Sequence, residues 1–282
     1  MRSGLLNGRE HTLVGGFTAI AEGPTAVALS IGGAKKQYSH KDPNEDAAAF
    51  ADGPGGTLIA VADGHGGYQA AEIAISELLR VAAPMWTGSG SLNLRPNWHS
   101  EACGVLFDLN TAILEAALKG APNGARTTLA MILVRPDDGL LAYLSIGDSH
   151  IFHVGATEVV DLAFERRKQS FYLGSPSETQ QTLEERCVAG CEDLAETRAI
   201  VLATDGFTEV EIGVDHPEAA IIDSYRRAAQ AKPDLRPLHA ARSVMDLALA
   251  SHRQHRSGDN IACGVLWMHG GSVDLAPQAA VD

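Results

Sequence analysis

Four aspartates stand where apolar runs stop or start. Asp63 follows Leu58-Ile59-Ala60-Val61-Ala62, Asp148 follows Leu144-Ser145-Ile146-Gly147, and Asp205 follows Ile200-Val201-Leu202-Ala203-Thr204. Asp259 immediately precedes Asn260-Ile261-Ala262-Cys263-Gly264-Val265. Three carboxylates thus close apolar strands and one opens a strand. If the last strand runs antiparallel to the others, all four meet at one end of the sheets. Carboxylates held close together repel, raise one another's pKa and destabilise a fold unless a cation neutralises them. An oxygen-only shell of Asp, backbone carbonyl and water suits Mg²⁺ or Mn²⁺ rather than Zn²⁺. Two such ions about 3.5–4 Å apart polarise a phosphoryl group and supply hydroxide at neutral pH. The competing reading is a set of turns, since Asp-Gly is the commonest turn dipeptide. Asp138-Gly139 reads plainly as a hairpin turn, and Asp52-Gly53 reads the same way. Each of the four acids taken alone reads as a turn; jointly, each with an adjacent Gly and each abutting a buried strand, they favour a metal site.

The elements that must position these acids follow from hydrophobic spacing. Ala26–Ile31 is a short apolar run ended by Gly32-Gly33, and Thr57–Ala62 reads as a buried strand. From Tyr68 to Ala83 the residues Ala71, Ile75, Leu78, Leu79 and Ala82 recur at helical spacing until Pro84. A polar loop then leads to a second helix with Ala102, Val105, Leu109, Ala112, Ile113 and Ala116 as its inner stripe. Thr127–Val134 and Leu140–Ile146 read as a hairpin about Pro136-Asp137-Asp138-Gly139, and Ile151–Val154 continues the β stretch. The region 161–196 is polar and turn-rich and reads as a loop or small excursion. Ala199–Ala203 is a strand, Pro217–Ala231 and Arg236–Arg256 are helices, and Asn260–Met268 is the final strand. Within the last helix Leu238, Ala241, Met245, Ala248 and His252 share one face. Clustered helices between groups of strands, with a hairpin signal, predict antiparallel sheets flanked by helices rather than an alternating parallel fold.

Composition narrows the classes. The 282 residues are 45% hydrophobic and 20% charged, enough to bury a substantial core and unlike a disordered or disulfide-stapled chain. A formal net charge of −13 disfavours nucleic acid or an anionic membrane as partner, although an acidic pocket remains a good place for a cation. The four cysteines, Cys103, Cys187, Cys191 and Cys263, are too scattered for a disulfide framework. Cys187 and Cys191 have no neighbouring His or second Cys pair in the sequence, so zinc is not expected there; free thiols in a reducing compartment are. The stretch 11–34 has one charge, Glu22, but its glycines and Pro24 break any membrane span or signal-peptide block. Residues 1–25 therefore read as a lead-in, 271–282 as a loose tail, and the protein as a single cytoplasmic domain with no membrane insertion.

Beyond single acids, five ordered blocks resemble the protein phosphatase 2C-like family of metal-dependent serine/threonine phosphatases. They are Asn44-Glu45-Asp46, Val61-Ala62-Asp63-Gly64-His65-Gly66-Gly67, Gly147-Asp148-Ser149, Thr204-Asp205-Gly206 and Gly258-Asp259-Asn260. The resemblance implies an α+β fold, an α/β/β/α sandwich of two mainly antiparallel sheets flanked by helices, with two Mg²⁺ or Mn²⁺ ions between the sheets. It implies that Asp63 bridges both ions, that the Gly64 carbonyl binds one, and that Asp205 and Asp259 are further direct ligands. Glu45 and Asp46 then hold metal-bound water, and Asp148 helps a third, weaker ion as in bacterial relatives. His65 protonates the leaving alkoxide, a reasonable role for an imidazole near neutral pH. The implied reaction is hydrolysis of phosphoserine or phosphothreonine by a metal-bridging hydroxide, on phosphoprotein substrates of a Ser/Thr kinase.

Four departures from the family pattern bear on substrate. Lys41 stands where an Arg usually grips the phosphate, giving charge without a two-pronged planar grip. His150 stands where Arg often follows Gly-Asp-Ser, and Glu209 where Asp is usual, a longer acid still able to reach a third ion. The interval from Asp148 to Asp205 is short, so the flap subdomain is expected to be reduced to the 161–196 excursion. These departures keep two alternatives open: a weakly active or non-catalytic module that binds phosphorylated partners, and a phosphatase for small phosphorylated metabolites. Arg166-Arg167-Lys168 reads as a solvated loop that could instead dock an acidic substrate, and His252 with His255 as a solvated helix end.

Overall fold

The computed structural model describes residues 1–37, 40–120, 124–164 and 171–268. The runs of apolar residues become strands because each is covered on both faces. β5 (Thr57–Ala62) is buried along its whole length. Its Leu58, Ala60 and Ala62 face a helix layer, and Ile59 and Val61 face a second sheet. A strand covered on both sides loses the alternating polar pattern and reads as continuous hydrophobic sequence.

The first sheet holds β1 (Arg2–Asn7), β4 (Ala47–Asp52), β5, β8 (Leu129–Arg135), β9 (Leu140–Ile146) and β12 (Val188–Asp193), in that spatial order. The second runs β11 (Val159–Asp161), β10 (His150–Val154), β13 (Ala199–Ala203), β14 (Ile261–Trp267), β3 (Thr25–Ser30) and β2 (Thr18–Glu22). Every pairing within them is antiparallel. A two-residue ribbon, β6 (Gly64–His65) with β7 (Arg126–Thr127), caps the site end of the first sheet. Helices α1 (Gln69–Glu77), α2 (Ala83–Trp86) and α3 (Trp98–Leu118) cover the first sheet's outer face. A short α4 (Gln180–Arg186) lies against α3, while α5 (Pro217–Ala229) and α6 (Arg236–His255) cover the second sheet. This is the expected α/β/β/α sandwich of two mainly antiparallel sheets.

Several local expectations are corrected. Residues 1–25 are not a mere lead-in: they supply the edge strands β1 and β2, paired with β4 and β3. Pro84 does not end the first helix. A turn of π-helix over Leu78–Ala82 carries the chain into α2, where Pro84 falls in the first turn and needs no donor. The stripe of α3 is rotated toward Trp98, Ala102, Cys103, Leu106, Leu109, Asn110 and Ile113. The 161–196 excursion is more ordered than a loop: it contains α4, started by a Thr179–Thr182 capping box, and β12. The Arg166-Arg167-Lys168 patch and the 271–282 tail lie outside the described residues.

Ile59 is wholly buried between the two sheets. Ile59→Ala is therefore expected to cost about 2–5 kcal/mol of stability, transfer and cavity terms together, measured by urea unfolding. A loss below 1 kcal/mol would mean that the inter-sheet layer is not close-packed at that point.

Candidate metal centre

Strand ends and glycines deliver the acids to one place. Asp63 leaves β5 with both backbone poles anchored. Its N–H donates to Thr128 Oγ1 (3.0 Å), and its carbonyl accepts from Thr127 Oγ1 and the Thr128 N–H (2.9 Å each). Asp205 opens a 3-10 turn directly after β13, and the next residue must be glycine, because a Cβ on Gly206 would stand 2.0 Å from the Asn260 carbonyl oxygen. Asp259 precedes β14 on the neighbouring strand, and Asp46 precedes β4. Thr204 ties the two sheets together here: its hydroxyl donates to Asp46 Oδ2 (2.9 Å) and accepts from the Ala262 N–H (2.8 Å).

The result is a cavity of about 390 Å³ walled by Glu45, Asp63, Asp205, Glu209 and Asp259, with Gly64, His65 and Gly66 on one side. Two overlapping triads of carboxylates lie within 4.8 Å: Asp63, Asp148 and Asp205, and Asp205, Glu209 and Asp259. Asp205 belongs to both. Burial, then the Asp205, Asp46, Asp259 and Asp148 charges, pushes the Asp63 carboxyl well above the usual carboxylate range. Burial, then Asp259, Asp148 and Glu209, does the same to Asp205. Burial and the Asp259 charge raise Asp46 to about 7, against the pull of Lys36 and the Thr204 hydroxyl. Glu209 is raised by burial first and by Asp259 next, so the longer acid does reach the cluster.

Sequence reasoning missed a buried cation that lines this site. Lys36 Nζ lies 3.1 Å from Asp259 Oδ1 and donates to Asn260 Oδ1 at 2.7 Å, with its side chain only 7% exposed. Lys41, the expected phosphate grip, is exposed and does not line the cavity; its N–H, with that of Asp42, donates to Glu45 Oε1 (3.0 and 2.8 Å). Glu45 is thus partly occupied in shaping its own loop. Asn260 fastens the same loop to β14: its Oδ1 also accepts from the Glu45 N–H (2.9 Å), and its Nδ2 donates to the Pro43 carbonyl (3.0 Å). The partners of Lys36, Asp259 and Asn260, lie 223 and 224 positions further along the chain, so no local spacing signalled the contact.

One histidine departs from expectation, and two others show their surroundings. His252 is fully buried rather than a solvated helix end. Its Nε2–H donates to the Gly206 carbonyl (2.7 Å) and its Nδ1 accepts from the Gly33 N–H (3.1 Å), which pins the Asp205–Gly206 turn to α6. Burial keeps that ring below the usual histidine range, hence neutral and fit to do both. His150 is also buried, bonded to Asp161 Oδ2 (2.9 Å) and Thr208 Oγ1, so it braces the back of the site and does not face the cavity. His65 stands at the rim, 41% exposed at its side chain, with Nδ1 3.8 Å from Asp63 Oδ2 and its ring 4.5 Å from that of Tyr172. Tyr172, from the 161–196 excursion, is a further residue the sequence did not single out.

Asp46 Oδ1, Asp148 Oδ1 and Asp205 Oδ1 are buried carboxylate oxygens without a hydrogen-bond partner, acceptors that a bound cation would satisfy. An all-oxygen donor set with surplus negative charge fits divalent cations of the Mg²⁺ or Mn²⁺ type. The family model for protein phosphatase 2C matches residues 34–246, about three quarters of the chain. The chain belongs to the protein phosphatase 2C family. Serine/threonine phosphatase activity is what membership supports. Solved structures share the fold at low identity. They include serine/threonine phosphatase Stp1 from Staphylococcus aureus (TM-score 0.60, 17% identity, 89% of this chain and 96% of that one). The PPM Ser-Thr phosphatase MsPP from Mycobacterium smegmatis, solved with cacodylate, is similar at TM-score 0.58 and 21% identity, over 86% and 97% of the two chains. The catalytic domain of PstP, solved with two manganese ions, matches at TM-score 0.59 and 18% identity, over 89% and 99%. No curated protein matches the chain. Among the described residues no helix is long and apolar enough to cross a membrane.

For this phosphatase 2C family member the acid cluster sets the pH response of the metal-free form. Unfolded, each carboxyl returns to an ordinary value of about 4. Folded, Asp46 keeps its proton to about 7, so the native state binds more protons than the unfolded one across that window, and stability falls as pH rises through it. The thermal midpoint of chelator-treated protein is expected to drop between about pH 5 and pH 7.5, and excess Mn²⁺ to flatten the profile. A flat metal-free profile would contradict the clustered charges. Separately, His252→Leu leaves the Gly206 carbonyl and Gly33 N–H without partners and is expected to cost about 1–3 kcal/mol in urea unfolding.

Proposed function

We propose that this chain is a Mg²⁺- or Mn²⁺-dependent phosphoprotein phosphatase that hydrolyses phosphoserine and phosphothreonine. The observation that carries the reading is the pair of carboxylate triads sharing Asp205 in one cavity with Lys36. In this reading Asp63, Asp205 and Asp259 hold two cations, with the Gly64 carbonyl on one of them. Asp148 and Glu209 extend the set toward a third, and Asp46 and Glu45 orient water from behind. Bound divalent ions supply Lewis acidity toward phosphoryl oxygens and bring water toward the hydroxide form at neutral pH.

The protein's own groups do the remainder. Buried carboxylates, fixed by backbone hydrogen bonds on strand ends, hold the positive charge in one place before substrate arrives, so little reorganisation is needed during the reaction. A phosphomonoester dianion would be repelled by this cluster alone, and Lys36 contributes the fixed ammonium on its near side. His65, exposed at the rim beside Tyr172, is placed to protonate the leaving serine or threonine oxygen, a strongly basic alkoxide that needs a proton as it departs. In this reading Lys36, which lines the cavity, takes the part expected of Lys41, which does not line it. In this reading the substrate is a protein segment phosphorylated by a Ser/Thr kinase.

Hydrolysis of p-nitrophenyl phosphate and of a phosphothreonine peptide with Mn²⁺ tests this. Asp205→Asn is expected to lower kcat by at least about 10²-fold while the chain stays folded. Lys36→Met is expected to raise KM or lower kcat markedly, and Lys41→Met to leave both within about twofold. Unchanged turnover in Asp205→Asn would remove the mechanism. Metal binding without turnover on any phosphopeptide would favour the non-catalytic module, and turnover confined to sugar or nucleotide phosphates a small-molecule phosphatase.

A further inference from the structure

The fold assembles a second group of metal-ligating side chains, chemically unlike the first. His99 and Cys103 lie one turn apart on α3. Cys187 ends α4, where the chain turns into β12, and the fold sets it against them across 84 residues of sequence. Cys103 Sγ is 3.4 Å from Cys187 Sγ and 3.7 Å from His99 Nδ1, and one donor atom from each residue lies within 4.8 Å of the others. Neither Cys103 nor Cys187 is in a disulfide and both are buried, while His99 is exposed.

We propose that His99, Cys103 and Cys187 bind Zn²⁺ as a three-ligand nitrogen–sulfur site, distinct from the carboxylate cavity. The spacing fits the ion. With Zn–S near 2.3 Å and Zn–N near 2.0–2.1 Å, a tetrahedral site has S···S and S···N edges of roughly 3.7 and 3.5 Å. The observed separations differ from these by a few tenths of an ångström. Exposure of His99 leaves a way in from solvent and room for water as fourth ligand. Binding is balanced by loss of both thiol protons: two Cys–SH and Zn²⁺ give the dithiolate complex and two H⁺.

The donor sets also separate the two sites by selectivity: oxygen only in the cavity, sulfur and nitrogen here. Because Cys187 closes α4, the ion would fasten the 171–193 segment, and with it Tyr172 beside His65, to the helix layer. The Cys187 and Cys191 pair, unpromising in sequence, thus contributes one ligand through partners that only folding supplies.

Cobalt reads this directly. The full chain, reduced, metal-free and kept anaerobic, is titrated with Co²⁺ under saturating Mg²⁺, which occupies the oxygen site. The expected result is near-ultraviolet thiolate-to-cobalt charge-transfer absorption that saturates at one ion per chain and is displaced by one equivalent of Zn²⁺. Cys103→Ser and Cys187→Ser should each abolish it, Cys191→Ser and Cys263→Ser should keep it, and His99→Ala, at an exposed position, should weaken binding by more than about tenfold. Zn²⁺ should also raise the thermal midpoint of the parent chain. Absence of the band at stoichiometric cobalt, or its survival in either Cys103→Ser or Cys187→Ser, overturns the site. So does a reduced chain that takes no zinc yet readily forms a Cys103–Cys187 disulfide with diamide.

Discussion

Mutual repulsion among buried carboxylates is the constraint around which this molecule is organised. Asp46, Asp63, Asp148, Asp205, Glu209 and Asp259 converge at one end of two packed sheets, and burial removes the water that would otherwise screen them. Such an arrangement opposes folding unless protons or cations offset the charge, so stability must come from elsewhere in the chain. It comes from the sandwich: a continuous apolar layer between the sheets and one beneath each helix layer. Those three layers hold the strand ends where their own acids push apart.

Around the acids, a shell of neutral hydrogen-bonding groups keeps the backbone from relieving the repulsion. Thr127, Thr128, Thr204 and Asn260 each bridge two segments of chain at the site end of the sheets. His252 reaches from the helix layer through to the Gly206 carbonyl. None of these groups carries charge, so they fix geometry without altering the electrostatic balance. Lys36 is different: its ammonium sits against Asp259 and offsets part of the charge from within the chain. The proposed zinc site obeys another logic, in which two buried thiols become acceptable as thiolates only when a cation arrives with them.

Much of the architecture was legible from spacing. The strands β5, β8, β13 and β14, buried along their length, and β9, buried except at Tyr143, read as largely apolar runs, and α1, α3, α5 and α6 as helices, because packing on both faces leaves that pattern in the residues. Other strands were harder. β1 and β2 are half-exposed, and β4 is Ala47-Ala48-Ala49-Phe50-Ala51-Asp52, a composition that belongs as readily to a helix. β12 carries Gly190, Cys191 and two acids, and its strand state depends on pairing with β9. Pro84 misled because a proline is costly inside a helix yet harmless in a first turn, and the π-turn before it is not written in any periodicity.

The sequence by itself determined which acids stand at strand ends, which glycines permit the tight turns beside them, and hence that oxygen ligands would face one another if the strands ran antiparallel. These properties are local: they follow from residue type and from a repeat of two or three and a half positions. Only tertiary structure decided the rest. It put Lys36 against the acids, buried His252 instead of exposing it, and joined His99 and Cys103 to Cys187. Each of those outcomes depends on how distant segments cross, and no spacing along the chain encodes a contact between residues 84 or 224 positions apart.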